Sequence, residues 1–234
     1  MASSLRAELE SLANREKAKV LQRFFKTGKG EYGEGDIFLG VSVPDTRGAA
    51  KKFTHLTFAE LEKHLASEIH EERLAALLIL VEKFRKAPEI ERKKIVDFYL
   101  SNTSRVNNWD LVDLSADKIL GEFLAGKHAA EKAVLYNLSK SKNLWERRIS
   151  IVATFAFIKR KRLEETFKIS EILLKDSHDL IHKAVGWMLR EAGKRGKQEL
   201  VEFLEKHCAE MPRTMLRYAI EKFSEKEKKK FMRK

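Results

Sequence analysis

From about residue 55 onward, apolar side chains recur with the 3.6-residue period of an α-helix, and little interrupts them. Only three prolines and eleven glycines occur in 234 residues, and the glycines crowd into residues 28–48. Leu61, Leu65 and Ile69 mark one helix, which starts from the capping signal of Thr57 and Glu60. Residues 71–86 form the next, with Leu74, Leu77, Leu78 and Val81 on one face and Pro88 just beyond its end. The same period predicts helices over 89–101, 107–124, 128–139, 144–159, 163–175, 178–192, 197–207 and 212–223, and an earlier one spans 10–26. Pro44, with Asp45 and Arg47 after it, reads as a helix start. No segment alternates in the manner of a strand. The chain is expected to be all-α.

The helices come in pairs, and one pattern returns. His-Glu-Glu-Arg-Leu-Ala-Ala-Leu-Leu at 70–78 resembles Trp-Glu-Arg-Arg-Ile-Ser-Ile-Val-Ala at 145–153 and Ile-His-Lys-Ala-Val-Gly-Trp-Met-Leu at 181–189. Each begins polar, carries an early basic residue (Arg73, Arg148, Lys183) and then turns apolar. A step of about 35–38 residues lies near the periods of helical solenoids such as tetratricopeptide and HEAT arrays. The expected architecture is therefore a superhelical array of HEAT-like antiparallel helix pairs, residues 1–234 forming a single domain. Its inner helices would line a concave basic groove. The glycine-bearing segment 26–36 lacks both a preceding strand and a Gly-Lys-Ser/Thr ending, so it reads as a connecting loop, with Phe38 to Pro44 packing it down.

Lysine and arginine outnumber aspartate and glutamate by 47 to 35, a net charge of +12. A surplus of that size favours a polyanionic partner, although the lysines at 226–230 fit a solubilising surface equally well. The longest uncharged apolar stretches, such as 149–158, are too short to span a bilayer. Residues 1–20 show no signal-peptide pattern. With one cysteine, Cys208, no intramolecular disulfide is possible, and a cytoplasmic location is expected, nucleoid-associated if the source is prokaryotic. The seven histidines are scattered without acidic or thiol residues to complete a metal set, so no metal is expected. No oligomerisation surface stands out, and a monomer is the expectation.

Three tryptophans lie near inner-helix starts: Trp109, Trp145 and Trp187. Trp145 reads as core. Trp109 follows Arg105, Asn107 and Asn108, and Trp187 lies between Lys183 and Arg190, so each reads either as core or as a surface for a sugar or base face. Asp110 and Asp113 share a helical face near its N-terminus, where carboxylates complement the macrodipole. Asp113 sits among Leu111, Val112 and Leu114, where a carboxylate is costly unless paired. Arg148 is its natural partner, and either a structural ion pair or a chemical site fits the spacing.

Taken in order, Asn107-Asn-Trp-Asp-Leu-Val-Asp113, Asn143-Leu-Trp-Glu-Arg-Arg148 and Lys183-Ala-Val-Gly-Trp-Met-Leu-Arg-Glu191 resemble the AlkD family of DNA glycosylases. Phe38-Leu-Gly-Val and Pro212-Arg-Thr-Met-Leu-Arg217 extend the resemblance over nearly the whole chain. The resemblance implies a HEAT-like enzyme that removes cationic N3- and N7-alkylated purines, such as 3-methyladenine and 7-methylguanine, from double-stranded DNA. It implies no cofactor, no metal and no flipping of the damaged base. By the same resemblance Asp113 is the catalytic carboxylate. Trp109 and Trp187 cradle the lesion's deoxyribose, and Arg148 lies beside the backbone. Arg73, Lys183 and Arg190 are candidates for binding phosphates. No lyase lysine is identifiable, so a monofunctional glycosylase leaving an abasic site is expected. The alternative is a non-catalytic DNA-binding scaffold that recognises bent, damaged or branched DNA.

Overall fold

The computed structural model describes residues 4–128 and 130–232. The chain is all-α: among the described residues no strand forms, and an isolated parallel bridge pairs Ile37 with Ile69. The chain divides between Ser115 and Ala116 into two compact units. The first holds the helices Leu5–Ser11, Arg15–Phe24, Val43–Lys52, Phe58–Leu65, His70–Lys86, Glu89–Ser101 and Trp109–Ser115. The second holds Glu122–Leu124, Ala133–Ser139, Leu144–Ala153, Phe155–Lys159, Glu164–Ile172, Asp179–Gly193, Lys197–His207, Arg213–Ala219 and Glu225–Met232.

Polar side chains explain most departures from the periodicity. The single helix expected over 10–26 is two, because the Asn14 side chain accepts the Lys17 N–H at 2.9 Å and starts a new helix. The stretch 107–124 passes through a π-helical turn at Asp117–Gly121, and 144–159 breaks at Thr154, whose hydroxyl donates to the Ile151 carbonyl at 2.7 Å. The helix expected over 128–139 begins at Ala133, and residue 129 of it lies outside the described residues. The lysine-rich end forms a helix that periodicity did not predict, with Phe231 buried. Thr57 and Glu60 form the expected capping box.

The repeat exists, but its register differs by one residue from the pattern of early basic side chains. Arg73 Nη1 donates to the Ser67 carbonyl at 2.8 Å, Arg147 Nη1 to Ser141 at 3.0 Å, and His182 Nε2 bonds the Asp176 carbonyl at 2.5 Å. Each reaches back six residues. In each turn the earlier side chain also accepts an N–H two residues on: Ser67 from Ile69, Ser141 from Asn143, Asp176 from His178. The equivalent residues are therefore Arg73, Arg147 and His182, and their common task is to cap the turn leading into a helix. A repeated capping residue is drawn into the backbone, not out toward a ligand.

The first unit is organised around His70–Lys86, in which every residue from His70 to Val81 is buried. A helix covered on all sides is a central one. It packs against Phe58–Leu65 and Glu89–Ser101, whose Leu61, Leu65 and Tyr99 are fully buried. Its first turn is more demanding, because His70, Glu71, Glu72 and Arg73 are polar and buried together. Such groups are tolerated only when hydrogen-bonded. Their partners shape the site.

Candidate functional site

Glu71 faces the loop that the sequence placed between Phe38 and Pro44. Its carboxylate accepts the backbone N–H groups of Leu39, Gly40 and Val41 at 3.0, 2.8 and 3.2 Å. Three convergent N–H donors form an anion nest, here filled by the protein's own carboxylate. Gly40 has φ +82°, and a Cβ there would stand 2.1 Å from the Asn14 carbonyl oxygen, so no side chain fits. Glu72 lies near His64 Nδ1 at 3.2 Å and Arg6 Nε at 3.4 Å.

His70 lies between two carboxylates. Nδ1 is 3.0 Å from Asp36 Oδ2, and Nε2 is 2.8 Å from Asp110 Oδ2. Asp36 also accepts from Arg73 Nη2 at 2.6 Å and from Asn108 Nδ2 at 3.2 Å. Burial alone would lower the His70 pKa, but the Asp110 and Asp36 carboxylates outweigh it and push the imidazole up to about 9. Burial would likewise raise Asp36; its bond to His70 and the Arg73 charge win, and its carboxyl falls below the usual range.

Aromatic rings extend this cluster to Trp109. The His70 ring stacks on Phe38 with centroids 4.4 Å apart, Phe38 stacks on Phe25 at 4.8 Å, and Phe25 lies parallel to the Trp109 indole at 5.0 Å. Phe24 meets the indole edge-on at 5.9 Å. One indole face is thus covered by Phe25, while Trp109 as a whole stays half-buried. Asp113, also half-buried, follows four residues later on the same helix, Trp109–Ser115, so indole and carboxylate share one face a turn apart. Asp110, by contrast, is buried against His70 and points away from any such role. A largely apolar cavity of about 460 Å³ opens beside His70 and Asp110, walled by Val20, Leu21, Phe25, Phe38 and Leu74.

The remaining predicted residues belong to the second unit. Lys183, Trp187 and Arg190 form a half-buried stripe along Asp179–Gly193 at helical spacing. Lys183 pairs with Asp179 at 2.8 Å, and Arg190 with Glu221 and Glu191. The Trp187 ring stands 6.0 Å from Phe155. Arg148, which the resemblance puts beside the DNA backbone, is only 5% exposed and donates from Nη1 to the Leu180 carbonyl at 2.5 Å, so this guanidinium ties down the start of that helix. Trp145 is buried, as its core reading requires.

Arg73 needs correction. Expected among the phosphate-binding candidates, it is 3% exposed, with its guanidinium committed to Asp36 and the Ser67 carbonyl. A cation already neutralised inside the protein has no charge to offer a phosphate. Sequence reading also missed Asp36, His70 and Asn108. A signal was present: four consecutive polar residues, 70–73, lead directly into a long apolar run, and such a turn needs buried partners.

The chain is all-helical, with a half-buried indole and carboxylate on one helix of the first unit and a half-buried tryptophan beside cations on a helix of the second. Over residues 5–223 the sequence matches the family described as DNA alkylation repair enzyme. The chain belongs to that family, which makes it an alkylation-repair enzyme with DNA as its partner. A solved structure described as "Predicted DNA alkylation repair enzyme from Enterococcus faecalis" matches with a TM-score of 0.71. At 17% identity it covers 91% of this chain and 97% of its own, and it shares the fold. Among curated proteins, none matches.

Proposed function

We propose that this chain is a monofunctional DNA glycosylase that hydrolyses the N-glycosidic bond of N3- and N7-alkylated purines in duplex DNA and leaves an abasic site. The observation that carries the reading is the pairing of Asp113 with Trp109 on one half-exposed helical face. A carboxylate so placed has no use in merely holding phosphates, because it repels them.

Alkylation at N3 or N7 makes the purine formally cationic. When the bond from C1′ to the purine nitrogen breaks, its electron pair moves onto the base and neutralises that charge, so no general acid is needed. Positive charge then develops on the sugar. The Asp113 carboxylate stabilises that oxocarbenium-like centre and receives a proton from the water that adds to C1′. The Trp109 indole, backed on one face by Phe25, offers an electron-rich surface to the cationic sugar. On the second unit, by the family resemblance, Trp187 contacts the lesion's sugar, and Lys183 and Arg190 beside it hold backbone phosphates once they exchange their carboxylate partners. Arg148 supports that stripe through its bond to Leu180.

The test is release of 7-methylguanine and 3-methyladenine from methylated duplex DNA, followed by chromatography. Asp113→Asn keeps the shape and removes the charge, and is expected to lose activity about a hundredfold or more while binding DNA as before. Equal turnover by that variant would remove the catalytic role. A wild-type protein that binds bent or damaged DNA but releases no base would be a scaffold.

A further inference from the structure

Both ring nitrogens of His70 face carboxylates, and the two carboxylates come from different parts of the first unit. Asp36 closes the glycine-rich segment; Asp110 opens the helix that carries Trp109 and Asp113. A neutral imidazole has a single N–H and can donate to only one of them. The imidazolium donates to both, and it is the form that Asp36 and Asp110 favour at neutral pH, against burial and the neighbouring Arg73. The charged groups around it are Asp36 on the loop, Asp110 on the Trp109 helix, and Glu71 and Arg73 on its own helix. Glu16 and Lys17 line the cavity it shares with them.

A second line of contact runs to the same place. The His70 ring seats Phe38, Phe38 seats Phe25, and Phe25 lies flat against the Trp109 indole. The glycine-rich segment is part of this construction. A Cβ at Gly33 would stand 2.5 Å from the Phe25 carbonyl oxygen and 3.4 Å from Asn108 Nδ2, so only glycine lets the loop deliver Asp36 beside them.

We propose that protonated His70 is a positioning residue: by joining Asp36 to Asp110 and seating the Phe38–Phe25 stack, it sets the stance of the Trp109 indole and the Asp113 carboxylate. This rests on the reading of those two as the working groups. His70 itself is buried, with both ring nitrogens taken up by carboxylates. Its influence runs through the start of one helix and one ring stack. Loss of its proton leaves a single N–H for two carboxylates, so one of the two bonds is given up and Asp36 is no longer joined to Asp110.

Two measurements on the full chain test this. Tryptophan emission is titrated with alkali in the wild type, Trp109→Phe and His70→Gln. A transition centred near pH 9 is expected in the wild type and absent from both variants. Single-turnover release of 7-methylguanine, with enzyme-free controls at each pH, is expected to slow about tenfold or more in His70→Gln, since small misplacements of reacting groups cost that much. DNA affinity stays unchanged, and the wild type's alkaline loss of rate near pH 9 disappears in the variant. Should His70→Gln fail to fold, Asp110→Asn takes its place in both measurements. A wild-type emission signal flat through pH 9, or a folded variant with the wild-type rate and the same alkaline limb, overturns the proposal. If the wild type releases no base at all, the glycosylase reading falls separately, and the emission titration alone decides whether His70 governs Trp109.

Discussion

Stability should fall with rising pH because of one buried imidazole. His70 holds its proton up to about pH 9 in the folded chain, against 6.5 for the ordinary side chain. Folding is therefore favoured wherever the native state keeps a proton that the unfolded chain has lost. The contribution is complete below pH 6.5 and is given up progressively as pH rises to about 9, beyond which nothing is left to lose. Each pH unit between those two values is worth about 1.4 kcal/mol, so the whole effect is about 3 kcal/mol. His70 is 1% exposed, so solvent screening removes little of it. Urea unfolding followed by circular dichroism, from about pH 6 to about pH 9.5, measures it. The wild type is expected to lose about 3 kcal/mol more than His70→Gln across that range, at a slope near 1.4 kcal/mol per pH unit. The comparison removes the contributions of all other groups, which both proteins share. Parallel curves for the two would refute the idea that an imidazolium bridges Asp36 and Asp110.

Three further outcomes follow from the same contacts. Glu71→Gln removes the charge that gathers the N–H groups of Leu39, Gly40 and Val41, and is expected to cost about 2–3 kcal/mol in urea unfolding. Gly40→Ala forces a Cβ against the Asn14 carbonyl at a positive φ, and a loss of at least about 3 kcal/mol is expected; unchanged stability would mean the loop lies elsewhere. Lys183→Ala is expected to weaken binding to methylated and unmethylated duplex alike and to lower the slope of log affinity against log salt by about one, while Arg73→Ala, its cation being internal, leaves that slope unchanged and lowers stability instead.

How the candidate site divides between sequence and structure is clearest in three arginines. Arg73 and Arg148 look alike in sequence: each is an early basic residue in a helix that then turns apolar. Structurally Arg73 answers to Arg147, because both cap the carbonyl six residues earlier, and both also hold a carboxylate, Asp36 and Asp176 respectively. A one-residue slip along a helix turns a side chain by about 100°. Pattern matching tolerates such a slip; hydrogen bonding does not. Trp109 and Asp113 were singled out in sequence by the family resemblance, and the face read from spacing was that of Asp110 and Asp113; the structure turns Asp110 onto His70 and leaves Asp113 one turn from Trp109.

Helical class, most helix positions and the basic balance were all set by the sequence, because each depends on local periodicity or on summed charge. The His70 bridge was not. Asp36, His70 and Asp110 are separated by 34 and 40 residues, and no local rule brings them together. They meet because the central helix buries its polar first turn, and buried charges must find partners wherever the chain's packing supplies them. The sequence already read the glycine-rich segment as a connecting loop; folding decided that this loop carries Asp36 to His70 and Arg73.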